Sequence, residues 1–235
     1  MRKGIRKHFF DESYFETIDT EEKAYWLGFI AADGCILKSS EYNSYRLKIN
    51  LNSVDIEHLR KFLRCIDANN TDVKIYDTAG FAAHRKDKKI ASVVLNSFKL
   101  CSDLQKYNVH RNKSLDIELP ELSDDMIPHY LRGFFDGDGS YHYHYDAKSN
   151  RYRYSFEVVG ASKNMMTQIQ EYLSSKNISV NIYIRNSKHS DNPSYRLMTN
   201  SKKEMLKIID LLYSNSHIYL NRKYDKINEI KTIAV

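Results

Sequence analysis

The chain contains the same short segment twice, and this repetition restricts its fold more than any other feature. Ala24-Tyr25-Trp26-Leu27-Gly28-Phe29-Ile30-Ala31-Ala32-Asp33-Gly34 and His129-Tyr130-Leu131-Arg132-Gly133-Phe134-Phe135-Asp136-Gly137-Asp138-Gly139 share one pattern, Gly-Phe-apolar-any-small-Asp-Gly, 105 residues apart. Self-similarity at a fixed offset marks a duplicated structural unit. An accidental match would be followed by unrelated sequence, whereas here the flanks correspond as well.

After each segment the apolar period changes in the same order. Cys35 to Ser39 and Tyr45 to Asn52 alternate polar and apolar with period two, as do Ser140 to Tyr145 and Arg151 to Val159, and each pair reads as a hairpin of half-buried strands across polar turns at 41–44 and 146–150. Val54 to Cys65 and Lys163 to Ser175 carry apolar residues at helical spacing. Strands return at Val73 to Tyr76 and Ile90 to Leu95, and at Val180 to Arg185 and Ser194 to Thr199. Apolar-periodic helices follow at Ser97 to Tyr107 and Ser201 to Tyr213, and each half closes on a basic segment, Arg111-Asn112-Lys113 or Asn221-Arg222-Lys223. The expected fold class is α+β, two pseudo-symmetric αββαββα repeats. Residues 1–20 are a lead-in, 21–119 the first repeat and 120–235 the second. Thr20 is placed to cap the first motif helix and Ser123 the second, with Asp124 and Asp125 in its first turn and Pro128 near its start.

Composition removes other classes. No stretch approaches the roughly 18 uninterrupted apolar residues that would span a bilayer, and the basic N-terminus has no apolar run behind it to act as a secretory signal. Three cysteines, Cys35, Cys65 and Cys101, lie far apart and outside Cys-x-x-Cys spacing. That argues against a disulfide framework or a structural zinc and for a reducing compartment. The expected location is the cytoplasm, or an organelle if the gene is organellar, and not the secreted space. A net charge of +6 suits a nucleic-acid or acidic-membrane partner without requiring one. The 18 tyrosines can stack on bases or fill a core.

Within the motif helices Gly28 and Ala32 are four residues apart, as are Gly133 and Gly137, so each pair lies on one helical face. Glycine inside a helix costs about 1 kcal/mol against alanine. Close packing of the two motif helices on each other offsets that cost and brings their C-termini side by side. Gly34 and Gly139 are expected in the left-handed conformation of a helix end. Asp33 and Asp138 then face the negative ends of two helix dipoles and each other. A divalent cation held by hard oxygen ligands relieves both penalties, and paired carboxylates around such ions serve phosphodiester cleavage.

The two segments resemble the signature of the LAGLIDADG homing endonucleases in their single-chain form with two motifs, and the resemblance extends over nearly the whole chain. It implies two repeats forming a DNA-binding saddle, with the motif helices packed at the interface. It also implies a monomer that cleaves both strands of a long, asymmetric DNA target by metal-dependent hydrolysis. Asp33 and Asp138 then ligate Mg²⁺ (or another divalent cation such as Mn²⁺), assisted by the carbonyls of Ala32 and Gly137. The family's basic catalytic position at the end of each repeat corresponds to Lys113, 80 residues past Asp33, and Lys223, 85 past Asp138. Two positions depart from the signature. Its earlier acidic residue is Ala31 in the first copy and Asp136 in the second, and Arg132, where the family prefers a small or apolar residue, is expected on the outer face of its helix. Members of the family also act as RNA maturases that help a host intron splice. A third reading is a non-catalytic DNA-binding regulator on the same scaffold.

On such a saddle one face of each sheet meets DNA. Arg46, Lys48, Asn50 and Asn52 share a face opposite Tyr45, Leu47, Ile49 and Leu51. In the second half Arg151 and Arg153 lie opposite Tyr152 and Tyr154, and Asn181, Tyr183 and Arg185 oppose Val180, Ile182 and Ile184, with Arg196 on the following strand. Arg and Asn are the side chains that read guanine and adenine edges, and a face that was merely solvated would carry more acid than the intruding Glu157. His142 and His144 share a strand face with no third metal ligand at suitable spacing. The runs Arg85 to Lys89 and Lys202-Lys203 suit phosphate contact or simple solvation.

Overall fold

The computed structural model describes residues 9–38, 44–77, 89–187 and 190–234. The basic start of the lead-in (1–8), most of the first hairpin turn and Arg85 to Lys88 lie outside the described residues.

The chain begins its regular structure at α1 (Glu21–Asp33), where the Thr20 side chain accepts the Lys23 N–H and Glu21 and Glu22 sit at the positive end of the helix dipole. Every residue from Ala24 to Ala31 is buried. A helix apolar on all sides needs partners on all sides. It finds them in its own sheet and in α4, the second motif helix.

That sheet comprises β1 (Gly34–Lys38), β2 (Tyr45–Asn52), β3 (Lys74–Asp77) and β4 (Lys89–Asn96), in the order β1-β2-β4-β3 with antiparallel pairing throughout. Its inner face, with Ile36, Leu47, Ile49, Leu51, Ala91, Val93 and Leu95, packs against Leu59, Phe62 and Leu63 of α2 (Ile56–Cys65) and Leu100 and Leu104 of α3 (Phe98–Lys106). The second half repeats the plan with α4 (Ile127–Asp138), β5 (Gly139–Asp146), β6 (Arg151–Gly160), α5 (Lys163–Ser175), β7 (Asn181–Ser187), β8 (Ser190–Thr199) and α6 (Lys202–Tyr213), its sheet ordered β5-β6-β8-β7. The αββαββα order is therefore present twice, as the alternating periods predict.

The two motif helices meet along their small residues. A methyl group built on Gly28 would lie 1.9 Å from the Tyr130 carbonyl oxygen, and one on Gly133 would lie 1.9 Å from that of Tyr25. No side chain fits there, so glycine is what permits the contact.

Four expectations need correction. Ser123 does not cap α4. The helix begins at Ile127 with Met126 at its cap, because Ser123 instead starts a turn in which its carbonyl accepts the Met126 and Ile127 N–H groups, while Pro128 occupies the helix start. Gly34 and Gly139 are not left-handed: their φ values are −82° and −84°. They are small because a Cβ would lie 2.6 Å from the carbonyls of Ile30 and Phe135 as the helix turns directly into a strand. Arg132 is not on an outer face and is 1% exposed. Its guanidinium donates to the carbonyls of Ile218 (2.9 Å) and Leu212 (2.8 Å) and pairs with Glu21 at 2.6 Å, which compensates the burial of its charge. Finally, the basic segment at 221–223 does not close the second half. It opens α7 (Asn221–Ala234), which lays Ile227 and Ile230 against the second repeat.

The helix α7 also ties the halves together. Arg222 donates from Nε to both oxygens of Asp55 at 3.0 and 2.9 Å, and Lys61 reaches Asn221 at 2.7 Å and the Tyr219 carbonyl at 3.2 Å.

Candidate active site

Because α1 and α4 cross at glycine, both end at the same place, where β1 and β5 begin. Asp33 closes α1 and Asp138 closes α4. A Cβ on Gly137 would lie 2.4 Å from that of Ala32 and 3.1 Å from the Asp33 carboxylate, so the two chain ends touch. Burial, with Asp138 beside it, pushes the Asp33 carboxyl up to about 6, against the downward pull of Lys223, Lys113 and Arg222. The Asp138 carboxyl is likewise raised, mainly by burial, although its edge is open to solvent. Two carboxylates held where charge is costly are poised to gain from a cation.

The two lysines also arrive. Lys113 sits in a short 3-10 turn, Lys113–Leu115, after Asn112 in the left-handed region (φ 61°). It is 8% exposed, and its Nζ donates to the Gly34 carbonyl at 2.5 Å. Lys223, in the first turn of α7, is equally buried and donates to the carbonyls of Phe135 (2.7 Å), Gly137 (3.2 Å) and Gly139 (2.6 Å). It therefore caps the C-terminal end of α4, where a cation is favoured. Burial lowers both ammonium groups, Lys223 to about 8, and the acidic pair opposes that shift. A narrow cleft of about 70 Å³ opens between Lys113, Asp138, Ala32 and Phe134.

Among the described residues no three His, Cys, Asp or Glu side chains are grouped to hold a metal. The donor set still fits a hard divalent cation, which takes only one or two carboxylates and completes its shell with water and substrate phosphate. Ala32 and Gly137 stand beside the pair, and the Gly137 carbonyl keeps a second lone pair while accepting from Lys223.

The named strand residues are exposed or half-buried, but Tyr152 and Ile184 on the opposite face are exposed as well, so the alternation there does not separate a buried face from an open one. Arg46, Asn50 and Asn52 are exposed and Lys48 half-buried, in register with Asn96, Ser92, Ile90 and Val94 of β4. Arg151, Arg153, Asn181, Tyr183 and Arg185 are exposed on the second sheet. Two arginines are already paired there: Arg153 with Asp146 at 3.1 Å, and Arg196 with Glu157. His142 and His144 are exposed on the same face, and His142 contacts Ser140.

The sequence reading missed the role of Asp136. Its carboxylate is fully buried at the seam, where it accepts the Tyr25 hydroxyl (2.8 Å), the Tyr213 hydroxyl (2.6 Å) and the Leu220 N–H (2.7 Å). The only signal in the sequence was the mismatch itself, an acid in one repeat opposite Ala31 in the other.

The LAGLIDADG-like domain family matches residues 125–212. No curated protein matches the chain. Among solved structures, I-GzeII in complex with its DNA target is 14% identical with a TM-score of 0.59, over 93% of this chain and 90% of that one. I-SmaMI bound to uncleaved DNA in the presence of calcium ions is 15% identical with a TM-score of 0.56, over 92% and 91%. Mesophilic variants of the homing endonuclease I-DmoI are 18% identical with a TM-score of 0.52, over 88% and 94%. At such identities the structural likeness is one of fold. Residues 125–212 thus match a LAGLIDADG-like domain, and about nine-tenths of the chain shares the fold of these homing endonucleases.

Proposed function

We propose that the chain is a monomeric DNA endonuclease that makes a site-specific double-strand break by metal-dependent phosphodiester hydrolysis. The observation that carries this reading is the meeting of Asp33, Asp138, Lys113 and Lys223 at one edge, between two sheets whose outer faces are rich in Arg, Lys and Asn. The DNA-bound relatives of the same fold support it.

Asp33 and Asp138, with the carbonyls of Ala32 and Gly137, are the groups that would hold Mg²⁺ or Mn²⁺. Such an ion lowers the pKa of bound water and offsets charge on phosphate oxygens. The chain's own part is electrostatic and positional. Lys113 and Lys223 place positive charge beside the acidic pair at a narrow cleft, where it can offset a developing phosphate charge. With its pKa lowered to about 8, Lys223 can hold or release a proton near neutral pH.

The sheets set the target. An eight-residue strand such as β2 spans about 26 Å at ~3.3 Å per residue, or about eight base pairs. Two sheets therefore cover roughly sixteen, and their different outer residues suit an asymmetric sequence. Arg46, Lys48, Asn50 and Asn52 would serve one half-site, and Arg151, Arg153, Asn181, Tyr183, Arg185 and Arg196 the other.

The test is incubation with Mg²⁺ and a supercoiled plasmid carrying the uninterrupted form of the insertion site, alongside Asp33→Asn and Asp138→Asn. Linear product from the unmodified protein, lost in both variants, is the expected result. Cleavage that survives both replacements rejects the carboxylate assignment. Binding without cutting by the unmodified protein favours the regulator or maturase reading.

A further inference from the structure

The two lysines are not held alike, and the difference leads back to Asp136. Lys223 belongs to a closed ring of contacts. Its backbone N–H donates to the Leu220 carbonyl at 3.0 Å. The N–H of that same Leu220 donates to Asp136 at 2.7 Å. Asp136 lies in α4 two residues before Asp138, and the Lys223 ammonium returns to the carbonyls of Gly137 and Gly139 on either side of Asp138. Asp136 thus fixes the entry of α7 against the end of α4, and through it the height at which Lys223 reaches the site. Tyr25 of the opposite motif helix and Tyr213 of α6 also donate to the carboxylate.

Among its described residues the first repeat has no such device. Ala31 stands where Asp136 would be and offers no acceptor. The turn that Lys113 opens is held by its own bonds, the Asp116 and Ile117 N–H groups donating to the Lys113 carbonyl at 3.2 and 2.8 Å. Lys113 makes one carbonyl contact where Lys223 makes three.

We infer that, with Lys113 and Lys223 each serving one DNA strand, Asp136 is a positioning residue for the Lys223 side alone, so that its loss turns a double-strand cutter into one that nicks a single strand. The inference rests on the endonuclease reading. Displacement of a catalytic group by about 1 Å costs on the order of 10²-fold in rate, and here the displacement falls on the Lys223 side only. A residue that merely held the fold would slow both strands together.

The experiment uses a supercoiled plasmid that the unmodified protein cleaves, end-labelled on each strand in turn. Asp136→Ala is expected to cut one strand at near the unmodified rate and the other about 10²-fold more slowly, leaving open-circular product. Asp136→Asn, which keeps an acceptor for Leu220, is expected to restore part of the slow strand. Tyr213→Phe, which removes a neighbour of Asp136 but not the Leu220 bond, is expected to leave the strand ratio unchanged. Hydrogen exchange gives a readout free of activity: amides 220–224 lose protection in Asp136→Ala, and amides 113–117 do not. If Asp136→Ala does not fold, the triple variant Asp136→Leu, Tyr25→Phe, Tyr213→Phe replaces the buried polar group by an apolar one and is read the same way. Equal slowing of both strands, or an unchanged ratio in every folded variant that lacks the carboxylate, overturns the inference. Failure of the unmodified protein to cut any DNA overturns the endonuclease reading instead.

Discussion

Gly28 and Tyr130 approach so closely that the Tyr130 carbonyl occupies the place of a side chain on residue 28, and Gly133 repeats the relationship against Tyr25. Alanine is the better helix former by about 1 kcal/mol, yet Gly28→Ala must push two backbones apart. A net loss of about 3 kcal/mol is expected, the upper end for overpacking. Urea unfolding of Gly28→Ala and Gly133→Ala checks this, and equal or higher stability would show that the interface yields.

Lys223→Met and Lys113→Met are expected to separate in stability as well as activity. Lys223 serves three carbonyls at the end of α4, and Lys113 serves one. Hydrogen bonds to charged groups contribute about 1.5–3 kcal/mol each, partly offset here by the burial of the ammonium. Lys223→Met should therefore unfold at lower urea by about 2 kcal/mol more than Lys113→Met. Cleavage assays should find both variants impaired.

Acid sensitivity should trace to His58. The single hydroxyl proton of Tyr25 goes to Asp136, so His58 donates from Nε2 to the Tyr25 oxygen at 3.0 Å, and its Nδ1 is left without a partner. Burial among Tyr25, Trp26 and Phe29 pushes the imidazole pKa down to about 3, with Lys61, Arg222 and Lys223 adding to the shift. Between about 6.5 and 3 the unfolded chain binds a proton that the native one refuses, so stability falls as pH is lowered through that window. His58→Gln keeps an N–H for Tyr25 and does not titrate. Its melting temperature should fall less steeply between pH 6.5 and 5, and an identical slope would place the sensitivity elsewhere.

On the outer faces, Lys48 and Arg46 have no ion-pair partner among the described residues, whereas Arg196 is held by Glu157. If Lys48 meets phosphate, Lys48→Ala should weaken binding to all DNA sequences alike and reduce the salt slope of log K by about 1. Arg46→Ala should instead relax discrimination at one base pair, at about 1–3 kcal/mol. Gel-shift titrations at several salt concentrations distinguish the two.

The elements were legible because each obeys a local period. β2 alternates across a half-buried sheet, and α1 is capped by the threonine that precedes it. Asp33 and Asp138 could be paired because the duplication placed them at equivalent points, and Lys113 and Lys223 joined them through the family resemblance. Arg132 and Asp136 could not be understood the same way. Their partners are the backbone groups of Leu212, Ile218 and Leu220, about 80 residues downstream, and no spacing rule reaches that far. The helix α7 was hidden for a different reason. Its Ile227 and Ile230 are sparse among Lys, Asn and Asp, so the segment reads as polar until Lys223 and Arg222 are seen to have partners across the seam. At Gly34 and Gly139 the helix ends where glycine suggests, but for lack of space and not for a left-handed turn.

The burial of α1 on every side also sets a schedule for synthesis. Its apolar stretch from Ala24 to Ala31 leaves the ribosome well before the helix that covers its glycine face, which ends at Asp138. At about 5–20 residues per second the intervening chain takes roughly 5–20 s to make. Through that interval the nascent first half carries an uncovered, backbone-deep groove suited to a second motif helix. A neighbouring nascent chain presents the same groove and, once its own α4 emerges, the helix that fits it. Crowded polysomes should therefore raise the share of exchanged pairs of chains, and slower initiation should raise the yield of closed protein.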